Sequence, residues 1–202
     1  ETPAQSVLLT SSVPGEGKTT TSINLATAYG QMEKVLLIDG DMRRPSLAKQ
    51  LGLISGCKGL SNAVAYPETL DESIHFVEDL NIDVMPSGLF PPNPLELLAS
   101  KNFEQVLKTL RARYDRIIID SPPISAVSDA LYLSSLIDAV IYVVKADSTK
   151  DKVVKMGVSR LQESNSRILG VVLNQLDTDK ESRYGSSYSG YYDSYGYHEG
   201  DA

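Results

Sequence analysis

The sequence predicts an α/β fold, a mostly parallel central sheet flanked by helices on both faces, with a flexible C-terminal tail. From Ser6 to about Leu176, β-branched and leucine-rich runs alternate with longer mixed segments, the rhythm of strand and helix units. Several runs are apolar at consecutive positions, which suits strands buried on both faces of a parallel sheet. The first run leads directly into a glycine-rich turn and a helix-like stretch, the local order of a phosphate-binding loop.

The strands are expected at 6–10, 34–39, 81–86, 116–120, 139–145 and 168–174, where Val, Ile and Leu cluster. Between them, 19–31, 46–51, 95–114, 128–137 and 150–165 read as helices, with Lys, Glu and Gln on the sides that face water. Pro91, Pro92 and Pro94 fix the loop before the third helix and start that helix at Leu95. After Asp177 the composition changes: the last 25 residues hold no Leu, Ile, Val, Met or Phe, but six of the eleven tyrosines. Nothing there builds a core, so 1–176 is expected to form the domain and 177–202 a tyrosine-rich tail.

A chain of 202 residues, 42% hydrophobic and 22% charged, affords one water-soluble domain with a sizeable core. Its 19 basic residues against 26 acidic ones leave a net charge of −7, which argues against a nucleic-acid partner bound through bulk charge. Any anion site must be local. No apolar run approaches the ~18 residues of a membrane span, and the lone Cys57 forms no internal disulfide, so a cytosolic setting is expected. His75 and His198 lack a histidine or cysteine partner at metal-ligand spacing, and read as a structural residue and a solvated one. Because the chain opens on Glu1 rather than Met, it is expected to be a piece of a longer polypeptide.

The segment SSVPGEGKTT at 11–20 supplies that local anion site. Gly15 and Gly17 let the backbone curl so that successive N–H groups point inward, Lys18 reaches the β- and γ-phosphates, and the Thr19 hydroxyl ligates magnesium. Pro14, Glu16 and Thr20 complete a loop that binds ATP or ADP with Mg2+, and the fold is then that of a P-loop NTPase. The usual GxxxxGK[ST] pattern is broken at its first glycine, where this sequence has Ser12. Two acidic clusters follow apolar strands: KVLLIDGDMRRP places Asp39 and Asp41, and RIIIDSPP places Asp120. Ligands of an open parallel sheet gather at the carboxyl ends of its strands, so these carboxylates are expected around the phosphates. Asp41 and Asp120 then serve the metal beside Thr19, either directly or through water.

In order along the chain stand the PGEGKTT loop, LLIDGDMRRP at 36–45, PSGLFPPNPLELLAS at 86–100, IIIDSPP at 117–123 and the tyrosine-rich tail. Together they resemble the bacterial protein-tyrosine kinases that regulate capsule and exopolysaccharide export, specifically the cytoplasmic kinase domain of a polysaccharide co-polymerase. The resemblance implies an ATP- and Mg-dependent autokinase whose acceptors are Tyr184, Tyr188, Tyr191, Tyr192, Tyr195 and Tyr197. A tyrosine hydroxyl, with a reference pKa near ~10, needs a carboxylate to take its proton at neutral pH. The resemblance favours Asp39 for that role and leaves Asp41 open, so Lys18, Asp39 and Asp41 form the catalytic set. Either Arg43 or Arg44 steadies phosphate or substrate charge, or both are solvated loop arginines. Asn174, ending GVVLN, either reads the adenine edge or is a strand-end turn residue.

The implied partners are a membrane-embedded co-polymerase segment fused upstream, neighbouring copies that exchange tails within a ring, and a cognate phosphotyrosine phosphatase. The implied location is the cytoplasmic side of the bacterial inner membrane. The resemblance also implies a helix upstream of the loop that packs copies into a ring; only 1–5 precede the first strand in this sequence, so ring assembly is not expected of these residues alone. The other class that fits the motifs is the deviant-loop ATPase switch that positions division sites or segregates plasmids, with the tail as a docking strip. Those proteins carry an early lysine in KGGxGKT, and the corresponding position here is Val13.

Overall fold

A computed structural model describes residues 3–177. The apolar runs become seven strands: β1 (Ser6–Ser11), β2 (Val35–Asp39), β3 (His75–Val77), β4 (Ile82–Met85), β5 (Arg116–Asp120), β6 (Ala139–Lys145) and β7 (Ile168–Asn174). They form one sheet in the order β3-β4-β2-β5-β1-β6-β7, parallel throughout except for the antiparallel edge pair of β3 with β4. Parallel neighbours need crossovers, and helices supply most of them: α1 (Lys18–Gly30), α2 (Leu47–Gln50), α3 (Leu60–Ala65), α4 (Pro94–Leu98), α5 (Lys101–Arg111), α6 (Asp129–Leu136) and α7 (Asp151–Glu163).

The helices divide between the faces because strand side chains alternate. Leu8, Leu36, Ile38, Ile117, Ile119, Val140 and Tyr142 meet Leu60, Phe103, Leu110, Leu133 and Leu161 from α3, α5, α6 and α7. Val7, Leu9, Val35, Leu37, Ile118 and Val143 point the other way, toward Ala26 and Ile23 of α1 and Leu47 of α2. The central strands β1, β2 and β5 are buried along their length, apart from the first residue of β5, which explains their continuous apolar sequence.

Three features depart from expectation. The single helix over 95–114 is two helices: Ser100 adopts an extended conformation, and its Oγ accepts from the Phe103 N–H, capping α5 and ending α4. Strand β7 is apolar but not buried on both faces; as an edge strand it leaves Leu169, Val171 and Leu173 49, 54 and 46% exposed. The short β3 and α3 arise where the sequence carries only weak periodic signals. Among the described residues, no helix is long and apolar enough to cross a membrane.

Chain order places the site. Strand β1 lies between β5 and β6, while its crossover through α1 leads to β2 beyond β5. Asp39 and Asp120, the last residues of β2 and β5, are register partners, and Leu9 of β1 stands opposite Asp120 on the other side. Gly40 is what lets the chain pass so close: its N–H donates to the Asp120 carbonyl at 2.7 Å, and a Cβ there would lie 2.9 Å from the same oxygen.

Candidate active site

The 11–20 segment leaves the end of β1 as a tight loop. Gly15 and Gly17 have φ of +83° and +87°, the left-handed backbone that turns successive amides to one side. A Cβ on Gly17 would come within 2.0 Å of Asn174 Nδ2, so side-chain bulk is excluded there as well. Ser12 occupies the position of the missing first glycine for a reason visible in the packing. Its Oγ lies 3.0 Å from the buried Tyr142 hydroxyl on β6, and its carbonyl accepts from the Ser125 N–H. Glu16 is also turned to the scaffold: its carboxylate accepts from the Val13 N–H at 2.7 Å, the Thr149 hydroxyl at 2.6 Å and the Lys145 N–H at 3.2 Å. What Glu16 offers an anion is therefore confined to its main chain.

Lys18, Thr19, Asp41 and Asp120 line one cavity of about 420 Å³, together with Pro14, Gly15, Arg43, Arg44, Ser46 and the Ser121–Pro123 turn. Thr19 Oγ1 donates to Asp120 Oδ2 at 2.6 Å and lies 3.1 Å from Ser46 Oγ, and Ser22 donates to the second Asp120 oxygen at 3.3 Å. Burial pulls the Lys18 ammonium below its usual range, against the opposing attraction of Asp120, Asp41 and Glu16. Burial likewise pushes Asp120 up to about 6, against the Thr19 hydrogen bond and the Lys18 charge.

The two aspartates of the DGD segment do different things. Asp41 faces the cavity and accepts from the Arg43 and Arg44 N–H groups through Oδ1, at 3.2 and 2.9 Å. Asp39 lies behind it, fully buried, with Oδ1 accepting from Asp41 N and Oδ2 from Ser46 N and Leu47 N at 3.0 to 3.2 Å. Burial and the neighbouring Asp120 hold it at about 7, against those backbone bonds. Asp39 thus shapes the loop that carries Asp41.

The remaining expected positions are distributed unevenly. Thr20 is exposed and outside the cavity lining. Asn174 also lies outside it; its amide donates to the Glu16 carbonyl at 3.0 Å, bracing the loop from β7. Arg43 is no solvated loop arginine, because it grips Asp129, whereas Arg44 is exposed at the cavity edge. His75 bonds the Lys58 carbonyl through its ring, a structural position. The six tail tyrosines lie outside the described residues. Sequence reasoning missed Ser46, Ser22, Asp129 and Tyr142, of which Ser46 and Asp129 carried a signal, a serine and an acid in the first turn of the predicted helices 46–51 and 128–137.

The donor set suits a magnesium nucleotide. Mg2+ takes one or two protein oxygens and completes its shell with phosphate and water, and Thr19 with Asp120 or Asp41 offers such a partial set. Among the described residues no cluster of three or more His, Cys, Asp or Glu forms a closed metal cage.

Comparison with known proteins bears on the family and the fold. The AAA domain family, AAA_31, matches residues 7–176. Over 182 residues the chain is 35% identical to the tyrosine-protein kinase YwqD of Bacillus subtilis (strain 168), spanning 90% of this chain and 76% of that protein. The chain belongs to the bacterial tyrosine kinases. This kinase superposes on the crystal structure of the VpsO kinase domain with a TM-score of 0.83 at 44% identity, covering 86% of each chain. It is also 35% identical over 194 residues to EpsB of Ralstonia nicotianae, a match that takes in 95% of this kinase but 26% of EpsB.

Proposed function

We propose that this kinase transfers the γ-phosphoryl group of Mg-ATP to the tyrosines of its own C-terminal segment, and that the modification regulates polymerisation and export of a capsular or exopolysaccharide. The observation that carries the reading is the convergence of Lys18, Thr19, Asp41 and Asp120 on one cavity at the mouth of the loop. Phosphoryl transfer asks the protein for position and positive charge more than for covalent chemistry. The curled amides at 14–20 and the helix α1 N-terminus hold the phosphates, and Lys18 neutralises the oxygens that gain charge. Magnesium, when bound, would supply positive charge to the phosphate oxygens; Thr19 and Asp120 would hold it, with Asp41 on the same cavity wall to share the task.

A base must touch the proton it takes. Asp41 is the candidate for that contact because it faces the cavity, while Asp39, with both oxygens on backbone amides, takes the role only if 41–47 move. Acceptors at Tyr184, Tyr188, Tyr191, Tyr192, Tyr195 and Tyr197 sit in a stretch already rich in acid, and each phosphate adds roughly −1.5 to −2. A modified segment is repelled from a cavity walled by Asp41 and Asp120. The matched region leaves about three quarters of EpsB unaccounted for, which supports a kinase joined to a membrane-embedded co-polymerase at the cytoplasmic face of the inner membrane. Neighbouring copies and a phosphotyrosine phosphatase complete the cycle.

The test is direct. The chain is incubated at high concentration with ATP and magnesium, beside a Lys18→Met control, and intact and peptide masses are measured. Stepwise phosphate additions mapped between Tyr184 and Tyr197 and lost in the control are expected. Hydrolysis of ATP without any phosphotyrosine, even with the co-polymerase's cytosolic segment supplied, would instead indicate a nucleotide switch.

A further inference from the structure

Arg43 and Asp129 form a clamp across the top of the sheet. Arg43 Nε donates to Asp129 Oδ2 at 2.7 Å and Nη2 to Oδ1 at 3.1 Å, the parallel fork-to-carboxylate geometry that fixes rotation as well as distance. The Asp129 side chain is 2% exposed, whereas that of Arg43 is 39% exposed and forms part of the cavity wall. The pair therefore has a buried end and an open end. Asp129 is the first residue of α6, where the helix dipole favours an anion. A carboxylate so deeply buried is costly without a partner, so Arg43 is drawn to it. Arg43 belongs to the loop after β2 that carries Asp41. Asp129 closes the loop after β5 that begins at Asp120.

We propose that Asp129 is a positioning residue for phosphoryl transfer: by clamping Arg43 it sets a guanidinium in the cavity wall and locks the Asp41 loop against the Asp120 loop. This rests on the phosphoryl-transfer reading of the cavity. The grip uses the Nε and Nη2 edge of Arg43, so Nη1 is not part of it. A charge fixed in advance costs no reorganisation when the transferring group gains negative charge. Ground-state nucleotide binding rests mainly on the loop amides and Lys18, so loss of the clamp is felt in turnover more than in affinity.

The experiment compares the chain with Asp129→Asn, with Arg43→Lys and with both. It measures steady-state turnover of Mg-ATP, the dissociation constant of a fluorescent ATP analogue and the thermal midpoint. Arg43→Lys keeps a positive partner for Asp129 but destroys the fork, so it tests the clamp even if Asp129→Asn folds poorly. Each single substitution is expected to lower kcat by between about tenfold and about 100-fold, while analogue affinity changes by less than about threefold. The double variant loses no more than the worse single one, because both break one interaction. Unchanged kcat in Arg43→Lys, losses that multiply in the double variant, or a kcat loss that merely tracks the unfolded fraction would overturn the proposal. ATP turnover by the unsubstituted chain without tyrosine phosphorylation would remove the autokinase reading and leave the clamp standing. A chain that turns over no ATP would remove both.

Discussion

Asp39 and Asp41 differ by two positions and by nearly everything else. Replacing Asp41 with Asn keeps the Oδ1 that accepts from Arg43 and Arg44, so the loop persists and the lost charge is read alone. Turnover to tyrosine is expected to fall about 100-fold or more if Asp41 takes the proton, with little change in urea midpoint. Asp39→Asn sets an NH2 group against backbone donors, and should cost about 1 to 3 kcal/mol of stability; a fully stable Asp39→Asn variant would contradict its role in shaping the loop. The buried carboxylates also set a pH dependence. Asp39 and Asp120 keep their protons to about 7 and about 6, against 3.8 for an unperturbed aspartate. Between those values the folded chain binds more protons than the unfolded one, so stability in metal-free buffer falls as pH rises toward about 7 and then levels. Thermal midpoints measured with chelator across that window should fall more steeply for the unsubstituted chain than for Asp120→Asn. Equal slopes would rule the account out.

At the scale of elements, the nucleotide loop is held from three sides by groups outside the cavity lining: Tyr142 of β6 on Ser12, Lys145 and Thr149 on Glu16, and Asn174 of β7 on the Glu16 carbonyl. Helix α7 joins through Gly157, where a Cβ would lie 1.9 Å from the Tyr142 hydroxyl and 2.9 Å from its ring carbon. Since Tyr142 is fully buried, it has no room to yield. Gly157→Ala is expected to cost about 1 to 3 kcal/mol from overpacking, and Tyr142→Phe about 1 kcal/mol from the hydrogen bond lost to Ser12. In the Tyr142→Phe background the alanine penalty should shrink, because the closer of the two clashes is gone. A denaturation double-mutant cycle checks this, and strict additivity would show that the hydroxyl is not the obstacle.

For the whole molecule, the sheet and both apolar clusters lie within the described residues. A chain ended after Asp177 is expected to keep its thermal midpoint and its nucleotide affinity while losing phosphate incorporation into tyrosine. A collapse of the midpoint on truncation would mean that the tyrosine-rich segment contributes to the fold. Fluorescence melting and radiolabel transfer on the two chain lengths measure both quantities.

Much of this architecture was written in local pattern. Continuous apolar runs mark the central strands because both faces of a parallel sheet are covered, and a glycine loop between strand and helix marks the phosphate site because only glycine takes φ near +85° without strain. The local pattern misjudged β7, since an edge strand and a central one of similar composition differ only in what lies beside them. It likewise ran α4 into α5, because the Ser100 cap is a hydrogen bond and not a period. Within the site, one-dimensional reasoning named Lys18 and Thr19 from the glycine loop and Asp39, Asp41 and Asp120 from the ends of strands, and all but Asp39 line the cavity. Three-dimensional packing assigned the rest: Asp39 to the loop's backbone, Glu16 and Asn174 to bracing, and Arg43 to Asp129 across 86 positions of sequence. Those partners are set by which strand ends lie side by side, and strand order follows from burying two faces at once, a property of the closed fold rather than of any segment.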